Sequence, residues 1–305
     1  MKKHIWKQKL IACYEIFYEL RRRFILRTVY RLHIMSTKQT LRYIKKHHCS
    51  IARFGDGEFD FILNARDQKF QTCTPELSQK LKQVLEQRDK NLLLCVPRCM
   101  NTVKGCNSHA SNFWITWGKR ESHHKIVVNM IRKHAGRNYH FGDALITRPY
   151  IDWKYGQKYA MDIFHRLQSL WEGKDILIVE GAATCMGIGN DLFDNARSIK
   201  RILAPAVGAF DCYNQILNTI LEQWNGELIL MALGPTATVL AGDLAKHNIQ
   251  ALDIGHIDIE YEWCLRGVKE RIAVPGKFTN EAKNGDQVAM CTDPVYQSQI
   301  IARIQ

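Results

Sequence analysis

Asp175-Ile-Leu-Ile-Val-Glu-Gly181, "DILIVEG", sets four aliphatic residues side by side and closes on a glycine. A strand with one wet face alternates apolar and polar residues. This run does not alternate, so it reads as a strand buried on both faces, as in the middle of a parallel sheet. Comparable runs recur at 49–54 ("CSIARF"), 91–97 ("NLLLCVP"), 199–206 ("IKRILAPA"), 227–234 ("ELILMALG") and 249–256 ("IQALDIGH"). Between them Leu77–Arg88 and Asn112–His134 carry helical spacing. Strands alternating with helices predict an α/β, Rossmann-like fold, a mainly parallel sheet with helices on both faces.

The net charge of +13 over 305 residues is unevenly placed. Residues 1–48 hold 13 Lys and Arg against Glu15 and Glu19, a local charge of +11. The other 30 basic and 28 acidic residues leave +2. Within that basic segment, residues 5–32 lack Pro and Gly and repeat Ile5, Trp6, Leu10, Cys13, Tyr14, Phe17, Leu20 and Phe24 at helical spacing. The pattern predicts a basic amphipathic helix. It suits contact with an anionic membrane surface, and also packing on the protein body. Nucleic acid is not the expected partner, because the charge is confined to this segment. No run reaches the ~18 apolar residues needed to span a bilayer. Polar residues at 14, 15 and 19 interrupt any leader-like apolar stretch, so a cleaved signal peptide is not expected. Three regions follow: a helical extension at 1–47, one catalytic domain at 48–280, and a polar tail at 281–305.

Ten cysteines show no disulfide framework and read as free thiols in a reducing compartment. Cys95, Cys99, Cys106 and His109 do not have a convincing zinc spacing.

In an open parallel sheet, ligands bind outside the carboxyl ends of the strands. Four unusual segments fall there. In "RFGDGE", Asp56 and Glu58 stand two apart around Gly57; in an extended chain both carboxylates face one side. That pair of hard oxygens suits Mg2+ or Mn2+, with Arg53 and the amides around Gly55 available to phosphates. The bland alternative is an acidic turn. "EGAATCMGIGNDLF" places Glu180, Gly181, Gly189, Asn190 and Asp191 in a glycine-rich loop that lacks the dinucleotide fingerprint. "GPTATVL" puts Pro235, Thr236 and Thr238 at a helix start, where free amides favour phosphate. In "GHIDIEYEW", His256, Asp258, Glu260 and Glu262 alternate with Ile257, Ile259, Tyr261 and Trp263. Read as extended, this gives one ionisable face fit for acid/base or metal chemistry, and a solvent-facing edge strand would alternate in the same way.

Taken in order, "RFGDGEFDFI", "ITRPY", "DILIVEG", "GIGNDLFDNARSIKRI", "ALGPTATVLAGDL" and "DIGHIDIEYEW" resemble the bacterial GT-D-fold glycosyltransferases over residues 48–280. The resemblance implies transfer of a sugar, glucose in characterised members, from a UDP-sugar to a glycan acceptor. It also implies a D-x-E metal motif, matched by Asp56 and Glu58. Under that reading Arg53, Arg148 and the loops at 181–190 and 235–238 contact the donor. One of Asp258, Glu260 or Glu262 activates the acceptor hydroxyl, oriented by His256. The rivals are a metal-dependent phosphohydrolase using the same acids and a non-enzymatic protein binding nucleic acid or membrane through its basic segment.

Overall fold

The computed structural model describes residues 29–63, 66–119 and 123–305. Most of the helix expected at 5–32 lies outside them; its described end, 29–32, is turn and irregular chain.

Nine strands form one sheet: β1 (His33–Ile34), β2 (Ser50–Arg53), β3 (Leu92–Val96), β4 (His140–Asp143), β5 (Asp175–Gly181), β6 (Ser198–Ala204), β7 (Leu228–Ala232), β8 (Ala251–Asp253) and β9 (Ile300–Arg303). Their order is β1-β4-β3-β2-β8-β7-β5-β6-β9, and every pairing is parallel. All six apolar runs are strands. The sheet also takes in β1, β4 and β9, which are short and sit toward its edges. β9 makes residues 300–303 of the expected tail part of the sheet.

The helices are α1 (Thr37–His47), α2 (Asp56–Ile62), α3 (Pro75–Glu86), α4 (Ser108–Lys119), α5 (His123–Ala135), α6 (Gly156–Gln168), α7 (Tyr213–Gln223), α8 (Pro235–Lys246), α9 (Ile257–Leu265) and α10 (Pro294–Gln299). Residues 112–134, expected as one helix, belong to two. Local chemistry sets several starts. Ser36 and Gln39 cap α1 reciprocally, and Thr74 with Pro75 opens α3.

Alternate residues of each central strand enter opposite cores. Leu177 and Val179 pack with Leu81 and Val84 of α3, Val127 of α5 and Leu240 of α8. Ile176 and Ile178 pack with Leu41 and Ile44 of α1, Phe164 of α6 and Tyr261 of α9. Burial on both faces is why the runs are apolar throughout, each large side chain contributing about 1.5–3 kcal/mol. Residues 37–47, assigned by sequence to the extension, instead cover this second face as α1.

From β2 the chain builds outward to β3 and β4, then crosses to β5 and β6 and returns through β7 to β8, beside β2. The β2/β8 boundary is thus the topological switch point, where a ligand crevice is expected.

Candidate active site

A cleft of about 710 Å³ opens at the carboxyl ends of β2, β8, β7 and β5. At its floor Arg53 ends β2. Its Nε donates to the Asp253 carbonyl (2.7 Å), Nη2 to Asp253 Oδ1 (2.8 Å) and Nη1 to Thr147 Oγ1 (2.9 Å). One side chain so ties β2 to β8 and to the turn after β4. Thr238 donates to the Arg53 carbonyl (3.0 Å) and to Asp253 Oδ2 (3.2 Å). Gly255 has φ +45°, and a Cβ there would stand 2.0 Å from Arg53 Nη2. The glycine of "DIGH" is therefore required by packing on the guanidinium.

Asp56 and Glu58 both line the cleft, but the segment is not extended: they open helix α2. Two residues apart on a helix point about 200° apart, so the shared-side argument fails. Glu58 bends back instead, its Oε2 accepting from the Gly55 amide at 2.7 Å. Asp56 Oδ2 lies 3.8 Å from Arg66 Nη2. Burial pushes Glu58 up to about 7, against the Gly55 hydrogen bond and with Asp253 adding to the rise. Burial also raises Asp56, opposed by Arg148. Acids held in this way gain most from a cation. Among the described residues no group of three or more His, Cys, Asp or Glu could hold a metal. Both carboxylates line the cleft, and Mg2+ or Mn2+ needs only one or two carboxylates from protein, the rest of its ligands coming from phosphate and water.

Across the cleft, Arg148 pairs with both oxygens of Glu281. Arg271 Nε is 3.0 Å from Glu281 Oε2 and its Nη2 donates to Asp152 (2.6 Å). His256 Nε2 is 3.3 Å from Glu281 Oε1. Burial favours a neutral Glu281, but Arg148, His256 and Arg271 hold its carboxyl well below the usual range. Burial, with Arg148 and Arg53 nearby, pushes His256 down to about 4.

Residues 257–265 form helix α9, not a strand, so the alternating residues do not share a face. Asp258 and Glu262, one turn apart, meet Lys277: its Nζ is 2.7 Å from Asp258 Oδ2 and 3.2 Å from Glu262 Oε1. Asn190 donates to the same two carboxylates at 2.8 and 2.7 Å. Glu260 faces elsewhere, accepting from the Tyr150 and Ile151 amides at 3.1 Å each. Of the four, His256 alone lines the cleft. Gly55, Gly181 and Arg148 also line it. Glu180 lies outside, buried against Arg201 (2.5 Å) and the Met186 amide (2.8 Å). Asp191 accepts from Tyr261, and Gly189 has φ +78° in open space. Pro235, Thr236 and Thr238 are buried behind Gly234, which lines the cleft; the Thr236 hydroxyl has no hydrogen-bond partner among the described residues.

Asp152, Asp253, Arg271 and Glu281 also line the cleft and were not singled out from sequence. Asp253 closes β8, so the strand-end rule could have found it. Arg271 and Glu281 carry no local pattern.

Sheet and cleft define an α/β protein of Rossmann-like architecture with a ligand site at its switch point. Residues 51–282 match the family described as glycosyltransferase GT-D fold, and the chain belongs to that family. It is 36% identical over 275 residues to the probable glycosyl transferase Gly of Streptococcus gordonii, covering 90% of this chain and 39% of that protein. It is likewise 36% identical over 274 residues to glycosyltransferase GlyD of Streptococcus pneumoniae serotype 4, covering 90% of this chain and 33% of that protein. The chain thus spans between a third and two-fifths of the length of these curated relatives. Among solved structures, one described as a highly conserved domain of unknown function 1792 with a distinct glycosyltransferase fold superposes with TM-score 0.81 at 35% identity, covering 92% of this chain and 98% of that one. A second, described as a new glycosyltransferase from Streptococcus sanguinis, gives 0.81 at 37% identity, covering 90% and 100%.

Proposed function

We propose that this protein is a metal-dependent glycosyltransferase that moves a sugar, glucose first among candidates, from a UDP-sugar to a glycan acceptor. The carrying observation is that Asp56 and Glu58 share one cleft with Arg148, Arg271 and His256 at the switch point of the sheet. Family membership supports the same reading.

In this reading Asp56 and Glu58 hold Mn2+ or Mg2+, which when bound supplies Lewis-acid stabilisation to the departing diphosphate. Arg148 and Arg271 offer guanidinium donors to anionic oxygens, exchanging them with Glu281. Arg53 acts beneath the site, keeping β2 and β8 in register. His256 is neutral at pH 7 and can accept a hydrogen bond from an acceptor hydroxyl. Asp258 and Glu262 with Asn190 and Lys277, and Glu260 with the backbone at 150–151, serve as supports for the cleft's walls.

The basic segment at 1–48 is proposed to hold the enzyme at an anionic membrane surface, suited to a lipid-linked or surface-glycan acceptor. No helix among the described residues is long and apolar enough to cross a membrane. Co-sedimentation with anionic liposomes should fall when residues 1–28 are removed; unchanged sedimentation would end that part of the proposal.

The test of function is incubation with a panel of nucleotide sugars and Mn2+, reading UDP and inorganic phosphate separately. Release of UDP from one donor supports the transferase. Phosphate without acceptor dependence would indicate a phosphohydrolase instead.

A further inference from the structure

We infer that the face of α4 carrying Phe113 and Trp114 is the acceptor platform, on which a saccharide ring stacks beside the donor. The inference rests on the transferase reading and names where its second substrate lies.

Four residues of α4 line the cleft: His109, Ala110, Phe113 and Trp114. Their spacing puts them on one side of the helix. Phe113 is 41% exposed, an unusual outlay for an aromatic inside a cleft. Its position is fixed from behind. The rings of Phe113 and Trp114 meet edge to face at 5.4 Å, and Trp114 meets Trp117 in the same way at 5.5 Å. Trp117 is 1% exposed and lies 6.3 Å, centroid to centroid, from Phe59 of α2, the residue after Glu58. A buried aromatic chain therefore locks the exposed rings to the turn that bears the carboxylates.

Toward β5, β6 and β7 the cleft is lined by Gly181, Ala206, Ala232 and Gly234, with the Phe70 ring set against Gly234. Toward α4 it is lined by Phe113, which is 41% exposed, and Trp114. Between them stand Asp56, Glu58 and Arg148. A donor with its diphosphate at the charged middle leaves one end for the second substrate. A pyranose suits the α4 end. Its C–H face is apolar and covers an aromatic face, while its rim of hydroxyls needs polar partners, which His109 and Asp152 supply at the same cleft. Apolar body with polar rim is the chemistry of a sugar rather than of a peptide side chain.

The experiment uses full-length protein, p-nitrophenyl glycosides of glucose, galactose and N-acetylglucosamine as probes, and the variants Phe113→Ala, Phe113→Tyr and Trp114→Phe. For Phe113→Ala the acceptor KM should rise about tenfold or more, with UDP affinity by calorimetry within twofold of wild type, and Phe113→Tyr should restore the acceptor KM. An unchanged acceptor KM, or a parallel loss of UDP affinity showing that the rings stack on the base, would overturn the inference. Tryptophan fluorescence titration with the same glycosides reads the platform without turnover. A glycoside-dependent change lost in Phe113→Ala supports it, and no change in wild type overturns it. A protein that binds glycosides yet releases no UDP from any donor would fail the transferase reading while keeping the platform.

Discussion

Arg53 Nη2 sits 2.8 Å from Asp253 Oδ1, so the last residues of two neighbouring strands are joined by a buried ion pair directly under the cleft. The same guanidinium reaches Thr147, and Gly255 presses on it from the next turn. The pair is an assembly joint of the site as much as a contact within it.

Breaking that joint should be costly. Removing one partner of a buried pair typically costs about 3–5 kcal/mol, because the other charge is left without solvent or partner. Arg53→Ala is expected to lose that order of stability in chemical denaturation. Gly255→Ala introduces strain at φ +45° and displaces the same guanidinium. Its effect should therefore overlap with that of Arg53→Ala, giving a double variant well short of the sum. Strict additivity would show that Gly255 matters for something other than Arg53.

Lys277 is 4% exposed and bridges Asp258 and Glu262, with Arg266 also pairing with Glu262 at 3.0 Å. Lys277→Met should destabilise by roughly 3–5 kcal/mol, because it removes the cation from buried Asp258 and leaves Glu262 with Arg266 alone. Asp258→Asn added to it should recover part of the loss. No recovery, measured by urea unfolding, would show that the two carboxylates are not coupled through the lysine.

Glu260 gives a pH-dependent prediction. Burial pushes its carboxyl up from 4.5 to about 7 against the field of Arg148. The folded state then holds a proton that the unfolded state releases, so this residue's contribution to stability falls as pH rises from about 4.5 through 7. The cost at full ionisation is of the order of 3 kcal/mol. Glu260→Gln should lose less stability than wild type between pH 5 and 8, so that the difference between the two unfolding free energies changes across that range. Parallel curves for the two proteins would contradict this.

His256 has the opposite sign. With its pKa lowered to about 4, the folded state binds fewer protons than the unfolded state below about 6.5. Stability attributable to it is lost as pH falls from about 6.5 toward 4. Its imidazole carbon-bound proton resonances, assigned through His256→Gln, should not shift between pH 5.5 and 8. A midpoint near 6.5 would place the ring in solvent.

The fold was legible in the chain because double-sided burial leaves a direct mark: "DILIVEG" and "ELILMALG" have no polar face to interrupt them. Where burial is equally complete but the backbone is helical, that mark misleads. In α9 Ile257 and Tyr261 enter one core, Ile259 and Trp263 another, and the acids find Lys277 or the amides at 150–151. With every face occupied, the helical period vanishes from the sequence and an accidental alternation of two stands in for a strand. Asp56 and Glu58 show the same confusion in miniature. Gly55 followed three residues later by a glutamate is a helix-start signature, while the two-residue spacing of the acids after an apolar run fits a strand end equally well. Arg271 and Glu281 reach the cleft through long-range ion pairs that no local pattern announces.

Asp56 and the cation it is proposed to hold are central to the proposed transfer. The direct measurement is the rate of UDP release from the preferred donor with Mn2+, with excess EDTA, and for Asp56→Asn with Mn2+. The prediction is a loss of two orders of magnitude or more in both the chelated enzyme and the variant, with the EDTA effect reversed by added Mn2+. Release that persists at the wild-type rate in EDTA and in Asp56→Asn would contradict a metal-dependent transferase built on this turn.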